Sequence, residues 1–265
     1  MTTINLLPLL QDQIPLFWVV LVRVAGIFVA IPAFGSKSVP LHVRIGLVIG
    51  LTVILLPIVS DFVRPLTLSL HQMLPLMFSE FMVGLVLGFG VRFVMVAFEM
   101  AGELIGLQMG VNLISAIDPV AGVQIPFLGQ FMSMLAFLVF FAIDGHHMMF
   151  EAMVSSFQLV PPLHVHLNGA VVELVLQLGV GMFLLGLKIG APVMTALFVV
   201  TVAMGILGRT IPQLNVMLNS VPITVCVGLL VLGLSLPLFG TLAQTSFEEL
   251  QPALHSLLIL MGQAP

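Results

Sequence analysis

The chain has 265 residues, of which 60% are hydrophobic and only 7% are charged. A soluble domain usually carries roughly 25% charged residues, so this chain cannot make an ordinary polar surface and must cover its exterior with lipid or other subunits. A formal net charge of −4, without a basic run, argues against nucleic-acid binding. Cys226 is the single cysteine, which excludes an internal disulfide.

Six apolar runs are long enough to cross a bilayer, and the absence of strand-like alternation predicts an all-α, multi-helix membrane-type protein of packed helical hairpins. The run at 171–206 is too long for a single span, and it contains Lys188 and Pro192 near its middle. It is therefore either one broken helix or a hairpin of two. The runs lie at 16–34, 41–60, 73–98, 125–143, 171–206 and 216–240.

The charge pattern gives little information about topology. Residues 1–22 contain no Lys or Arg, so we expect no cleaved signal peptide. Lys37 and Arg44 flank the link after the first run, which predicts that this link faces the cytoplasm. Between Arg92 and Lys188 there is no basic residue, and the positive-inside rule makes no prediction there.

Glycines at helical spacing predict close approach between helices, because residues four apart share one helix face. Such pairs are equally typical of packing within the chain and of packing on a partner. The chain has no Tyr and one Trp, so it lacks the aromatic rings common at membrane interfaces. Either Phe is sufficient at these interfaces, or much of the apolar surface faces protein. The sets are Gly46 and Gly50, Gly84 and Gly88, Gly186 and Gly190, and the triple Gly102, Gly106 and Gly110.

Ionisable residues inside apolar runs predict a buried charge network. Arg92, Glu99 and Glu103 lie within a narrow stripe of one helix face, at about 100° per residue. Arg92 neutralises one carboxylate, and Lys188 or Arg209 is the candidate partner of the other. A structural ion-pair network and a proton relay for transport are both consistent with this pattern.

No enzyme signature is present: the sequence has no P-loop, no GxSxG motif and no dinucleotide-binding fingerprint. The segment from Asp144 to His147 invites a metal interpretation. However, HExxH is absent, and adjacent histidines on a helix are expected to point to different faces. We predict that Asp144 and Gly145 form a turn that closes the preceding helix, and that the chain has no metal site, no cofactor and no enzymatic activity.

The segment 106–126 combines helix-disfavouring residues with apolar ones, between two long apolar runs. Irregular backbone at membrane depth is tolerated only inside protein or along a cavity. The segment is therefore either an ordinary surface loop or a loop folded into a pore. Its helix-disfavouring residues are Gly110, Asn112, Asp118, Pro119, Gly122 and Pro126.

Across about 200 residues the pattern resembles the FliR family of flagellar export-gate proteins and its counterpart in virulence type III secretion. It departs from that family at Asn219–Pro222, where the family has a glycine shortly before the proline. The residues that carry the resemblance are Arg23 to Gly26 with Pro32, Pro40 and Arg44, Glu80, Gly106 to Gly110, Asp118-Pro119, Asp144 to His146, Lys188 with Ala191-Pro192, and Gly208 to Asn215.

The resemblance implies a single export-gate domain over 1–265, with a FliP-like part at 1–170 and a FliQ-like hairpin at 171–265. It also implies a pore-like helical assembly with FliP and FliQ, joined by FlhB and FlhA, in the bacterial inner membrane at the flagellar basal body. Exported flagellar proteins are then transient substrates. The loop that plugs the closed channel in that family matches Gly110, Val111, Asn112, Leu113, Ile114, Ser115 and Ala116.

The resemblance thus predicts a core subunit of the flagellar type III protein export gate, in which an internal loop closes the pore. The alternative is a small-solute secondary transporter, because broken helices and buried charges are typical of that class too. A third class, an intramembrane hydrolase, requires a catalytic constellation that the sequence does not contain.

Overall fold

The structure, a computed structural model, describes residues 6–31, 39–63, 70–111, 127–166, 168–210 and 216–263. All regular secondary structure in these ranges is α-helical, which confirms the all-α prediction. The seven helices that they contain are α1 (Leu6–Ala30), α2 (Leu41–Ser60), α3 (Leu70–Met109), α4 (Phe127–Ala142), α5 (Gly145–Leu159), α6 (Gly169–Thr210) and α7 (Val216–Gly262).

Helix α2 has the bounds that the apolar run at 41–60 predicts. Pro40 precedes it with φ −57° and ψ 142°, a non-helical conformation that the proline ring favours. The Pro40 carbonyl nevertheless accepts the first helical hydrogen bond, from the backbone N–H of Arg44 at 3.3 Å. Helix α2 packs against α1 and also contacts α5.

Helix α6 is continuous over 42 residues and contains Pro192 in its interior. The hairpin interpretation of the run at 171–206 is therefore wrong. Proline lacks the N–H that would bond to the carbonyl four residues earlier, here that of Lys188, so it removes one hydrogen bond of the ladder. The apolar sequence on both sides keeps the helix intact through this single loss.

Four helices are long and apolar enough to cross a membrane: α2, most of α3, α6 and most of α7. The pair α4 and α5 meets the same criterion only if it forms one span broken at Asp144. Asp144 adopts the left-handed conformation, with φ 58° and ψ 29°. The predicted turn at this position is confirmed.

The chain folds into two compact units. The first comprises 1–92, 144–178 and 248–265, and the second comprises 93–143 and 179–247. The predicted boundary near residue 170 coincides with the start of α6, but each unit combines segments from both sides of it. The division into a FliP-like and a FliQ-like part remains a prediction.

Each unit has its own apolar core. In the first, Val20, Ile27, Leu87 and Phe157 are at most 2% exposed. In the second, the Phe140 and Phe247 rings pack with centroids 5.1 Å apart. The second core also contains Phe98, Met132, Leu197 and Phe239.

Candidate functional site

Two charged side chains lie fully buried in the core of the first unit. Arg23 on α1 and Glu80 on α3 are both 0% exposed. The Arg23 Nε donates a hydrogen bond to Glu80 Oε2 at 2.6 Å, and Nη2 lies 2.5 Å from the same oxygen. Burying two charges is tolerated only when they are paired and hydrogen-bonded, so this pair ties α1 to α3.

The rest of the Arg23 guanidinium binds the C-terminal end of α5. Its Nη1 donates to Ser156 Oγ at 3.1 Å, and its Nη2 donates to the Val160 carbonyl at 3.0 Å. The guanidinium carbon also lies 4.0 Å from the centroid of the Phe157 ring, in a cation–π contact. A cation at a helix C-terminus interacts favourably with the helix dipole. Arg23 therefore joins three helices of the first unit.

Arg23 and Glu80 belong to the residue pattern that carries the family resemblance, but their pairing was not predicted from the sequence. The available signal was two opposite charges in separate apolar runs, each expensive to bury alone. Their separation of 57 residues makes the contact non-local, and no helical spacing reveals it.

The glycines of α3 pack directly on α1. A Cβ at Gly84 would meet the carbonyl oxygen of Arg23, and a Cβ at Gly88 would lie 2.7 Å from the Ile27 carbonyl oxygen. These contacts involve backbone atoms, which cannot move independently of the helix. At this pair of glycines, packing within the chain is the correct interpretation.

We expect Gly84→Ala to destabilise the chain by about 1–3 kcal/mol, the usual cost of overpacking a close contact. The matched control is Gly46→Ala on α2, where a new Cβ has nothing within 4 Å. Its effect is expected to be neutral to stabilising by about 0.5–1 kcal/mol. Thermal unfolding of the detergent-solubilised variants tests this pair, and equal melting temperatures for both would contradict the packing argument.

The remaining predicted glycines divide into buried and open positions. A Cβ at Gly102 would meet the Leu128 carbonyl, and one at Gly186 would meet the Met100 methyl group. Gly106 and Gly190 are also buried. In contrast, Gly46 and Gly50 are exposed, with nothing of this chain within 4 Å of a new Cβ.

The predicted charge network is not buried within this chain. Arg92, Glu103 and Lys188 are exposed, and Glu99 is half-buried. Arg92 donates from Nη1 to the carbonyl of Ala30, at the end of α1, at 3.3 Å. Helical spacing predicted correctly which residues share a helix face, but it carries no information about whether another helix covers that face.

The predicted plug loop begins at a firmly held helix end, which we call the loop root (Gln108–Gly110). Gly110 has φ 78°, a left-handed conformation that glycine adopts without steric cost, and it ends α3. The Met109 side chain is 1% exposed. Val111 is half-buried, and Asn112, Leu113, Ile114, Ser115 and Ala116 lie outside the described residues.

Helices α6 and α7 hold the loop root through side-chain hydrogen bonds inside the second unit. The Thr224 hydroxyl donates to the Met109 carbonyl at 2.9 Å, in a bond shared with two carbonyls of its own helix at 3.0 and 3.1 Å. Gln108 Nε2 donates to the Met194 carbonyl at 3.0 Å. Gly228 faces the Met109 side chain, whose nearest atom would lie 2.8 Å from a new Cβ. The point where the chain leaves α3 is therefore fixed, and the loop starts from a defined position.

The expectation that the adjacent histidines diverge is wrong. The His147 Nδ1 lies 3.4 Å and the His146 Nε2 lies 3.9 Å from the same oxygen of Asp144. The two imidazole rings are tilted by 36°, with centroids 4.2 Å apart. Both side chains lie close to Asp144, the residue that immediately precedes α5.

Comparison with known proteins identifies the family. The model of bacterial export proteins, family 1, matches residues 14–250. The flagellar biosynthetic protein FliR of Bacillus subtilis is 32% identical over 256 residues, which cover 95% of this chain and 97% of the relative. The chain belongs to the FliR family of bacterial export proteins.

Other FliR proteins show the same extent of similarity. FliR of Escherichia coli is 31% identical, with 88% of each chain covered, and FliR of Pectobacterium carotovorum is 31% identical, with 94% of each covered. The family resemblance inferred from the residue pattern is therefore confirmed.

As a FliR-family member, the chain is a component of the flagellar export apparatus, and its long apolar helices indicate a membrane location. FliR-family membership points to a structural or transport component rather than an enzyme.

Proposed function

We propose that this FliR-family chain is a channel-forming core subunit of the flagellar type III export gate in the bacterial inner membrane, at the basal body. In this proposal, the loop from Gly110 to Ala116 blocks the closed pore and moves aside for an unfolded flagellar substrate. The observation that carries the proposal is the loop root, where Met109 and Gln108 are bonded to α7 and α6. A steric plug requires such a fixed base, because a loop on a frayed helix end would not occupy a defined position.

The exposed apolar helices favour a subunit of an assembly over a protein that works alone. Only 11% of the most apolar stretch of α6 is buried within the chain, and only 17% of that of α2. Lys188 is exposed near the midpoint of α6. A charge at mid-helix is costly in lipid and usually finds a protein partner. We propose FliP and FliQ as the subunits that cover these faces, with FlhB and FlhA joining the complex.

The open glycines of α2 support the same arrangement. Gly46 and Gly50 make a flat, exposed strip on an apolar helix, and such strips let a second helix approach closely in a membrane. The secondary-transporter alternative loses one of its supports, because the run at 171–206 is a continuous helix rather than a broken one.

Co-expression of the tagged chain with FliP and FliQ, followed by native mass measurement, tests the proposal. We expect a stable hetero-complex, whereas a well-behaved monomer or homodimer that ignores both partners would favour the transporter. Lys188→Glu is expected to reduce the yield of the complex several-fold, since it reverses the charge on the exposed face of α6. Lys188→Arg keeps the charge and serves as the control; equal yields for both variants would contradict a charge-specific contact.

A further inference from the structure

Three side chains at the turn before α5 bring nitrogen and oxygen ligand atoms together. The ligand atoms of Asp144, His146 and His147 all lie within 4.8 Å of one another. The Asp144 oxygen is 3.4 Å from one ring nitrogen and 3.9 Å from the other. Ligands at 2.0–2.2 Å from a tetrahedral Zn²⁺ are separated by about 3.4 Å. The Asp144–His147 separation already matches, and the Asp144–His146 separation requires a shift of about 0.5 Å. The two ring nitrogens, which lie within 4.8 Å of each other, must also approach by up to about 1.4 Å.

The backbone holds this arrangement in place. Asp144 adopts a left-handed conformation that is uncommon for a residue other than glycine. Its carbonyl accepts a hydrogen bond from the backbone N–H of His147 at 2.8 Å, which closes the first turn of α5. This bond sets the backbone positions of Asp144 and His147 at the start of the helix, and His146 lies between them in sequence.

We propose that Asp144, His146 and His147 form a binding site for a first-row divalent cation, with Zn²⁺ as the representative ion. Two imidazoles and one carboxylate are a donor set that suits such ions. Asp144 and His147 are 72% and 71% exposed and His146 is 33% exposed, so no other part of the described chain covers the ligand atoms. Three protein ligands leave at least one coordination position for water.

The charge balance of the turn is compatible with a cation. The N-terminal end of α5 carries a partial positive charge that repels a bound cation. The negative charge of Asp144 offsets this repulsion. Both rings must present an unprotonated nitrogen to the metal, so binding competes with protons. This site is independent of the proposed gating function.

The test uses the full chain carrying a tag without histidines, solubilised together with its co-expressed partners and stripped of metal with a chelator. Zn²⁺ alone is then titrated by calorimetry, and bound metal is counted by elemental analysis. We expect Zn²⁺ to bind to a site in this chain, and we expect this binding to be lost in the Asp144→Asn and His147→Ala variants. Asparagine keeps the size of the aspartate and tolerates the left-handed backbone.

Each substitution is expected to weaken Zn²⁺ binding by roughly 100-fold or more, because loss of even an outer-shell partner costs roughly 10–100-fold. His164→Ala is the matched control: His164 is an exposed loop histidine that contacts the Pro162 carbonyl and lies outside the cluster. The X-ray absorption spectrum of bound Zn²⁺ should show scattering from imidazole ligands. This scattering should decline in the His147→Ala variant and persist in the His164→Ala variant. Zn²⁺ binding by the unsubstituted chain that is no tighter than binding by Asp144→Asn and His147→Ala would overturn the proposal. An equal loss in His164→Ala would overturn it too.

Discussion

Glu80→Leu is expected to prevent the folded chain from accumulating, because the substitution leaves the buried Arg23 guanidinium without its counter-charge. Removing one partner of a buried ion pair costs about 3–5 kcal/mol. The free energy of unfolding of a typical domain is only about 5–15 kcal/mol, so this loss removes a large part of it. Both side chains are 0% exposed, and water therefore cannot compensate for the missing carboxylate.

The double variant Arg23→Met with Glu80→Leu separates charge imbalance from lost packing. Replacing both members of a buried pair by apolar residues of similar size is often neutral or stabilising, so we expect the double variant to be more stable than Glu80→Leu alone. Glu103→Leu is the control, because Glu103 is an exposed carboxylate on the same helix. This variant should retain the stability of the parent chain.

Membrane-fraction abundance and the melting temperature in detergent provide the measurement. A Glu80→Leu variant as stable as Glu103→Leu would show that the ion pair is unimportant. A double variant less stable than Glu80→Leu alone would show that the guanidinium is needed for its bonds to α5, at Ser156 and Val160, rather than for charge balance.

Shortening the predicted plug between Val111 and Ala116 by three residues is expected to make the membrane leak ions and small solutes severalfold above the parent. A plug acts by filling the pore, so a shorter loop on the same fixed root leaves an opening. The measurement is dye-reported membrane potential and small-solute efflux in cells that express the whole export apparatus. If the shortened variant stays tight while export proceeds, the plug proposal is wrong.

Weakening the root tests the same proposal without changing the loop. Thr224→Val removes the hydroxyl that donates to the Met109 carbonyl, a bond with a net contribution of about 1 kcal/mol. We expect a smaller leak than in the shortened variant. Thr241→Val is the matched control, because Thr241 is an exposed residue of the same helix whose hydroxyl bonds only within α7, to Leu238. Equal leakage in both threonine variants would show that the leak does not depend on the hydrogen bond at the loop root.

The helical nature of the chain was predictable from the sequence. The residues at which several helices begin and end depend on local features that hydropathy does not measure. Helix α1 begins at Leu6, ten residues before the predicted span, because a helix tolerates the polar residues Gln11 and Asp12 that interrupt an apolar run. It ends at Ala30, shortly before Pro32 in the sequence, consistent with the restriction that proline places on the preceding residue. Helix α5 was not among the predicted spans because Glu151 and two histidines lower its hydropathy.

The candidate site was less predictable than the fold because its contacts are non-local. The stripe from Arg92 to Glu103 obeys helical spacing, yet most of its charges are exposed. The pair that is buried, Arg23 and Glu80, combines residues from two different helices. Periodicity determines which residues share a face of one helix, but only tertiary packing determines which faces meet. The end of α3 was predictable, because Gly110 breaks the helix through its own backbone preference.

The length of the helices limits how much of this protein a lipid bilayer can cover. Helix α3 has 40 residues, α6 has 42 and α7 has 47, so each is about 60–70 Å long at about 1.5 Å per residue. The hydrocarbon layer is about 30 Å thick. Fitting a 60 Å helix inside it would require a tilt of about 60°, beyond the range of about 0–40° observed for membrane helices. Even at a tilt of about 40°, the layer covers only about 40 Å of each helix, so at least about a third of each must lie outside it. Hydrophobic matching alone therefore does not set the depth of this chain, and in the proposed complex the neighbouring subunits would set it instead.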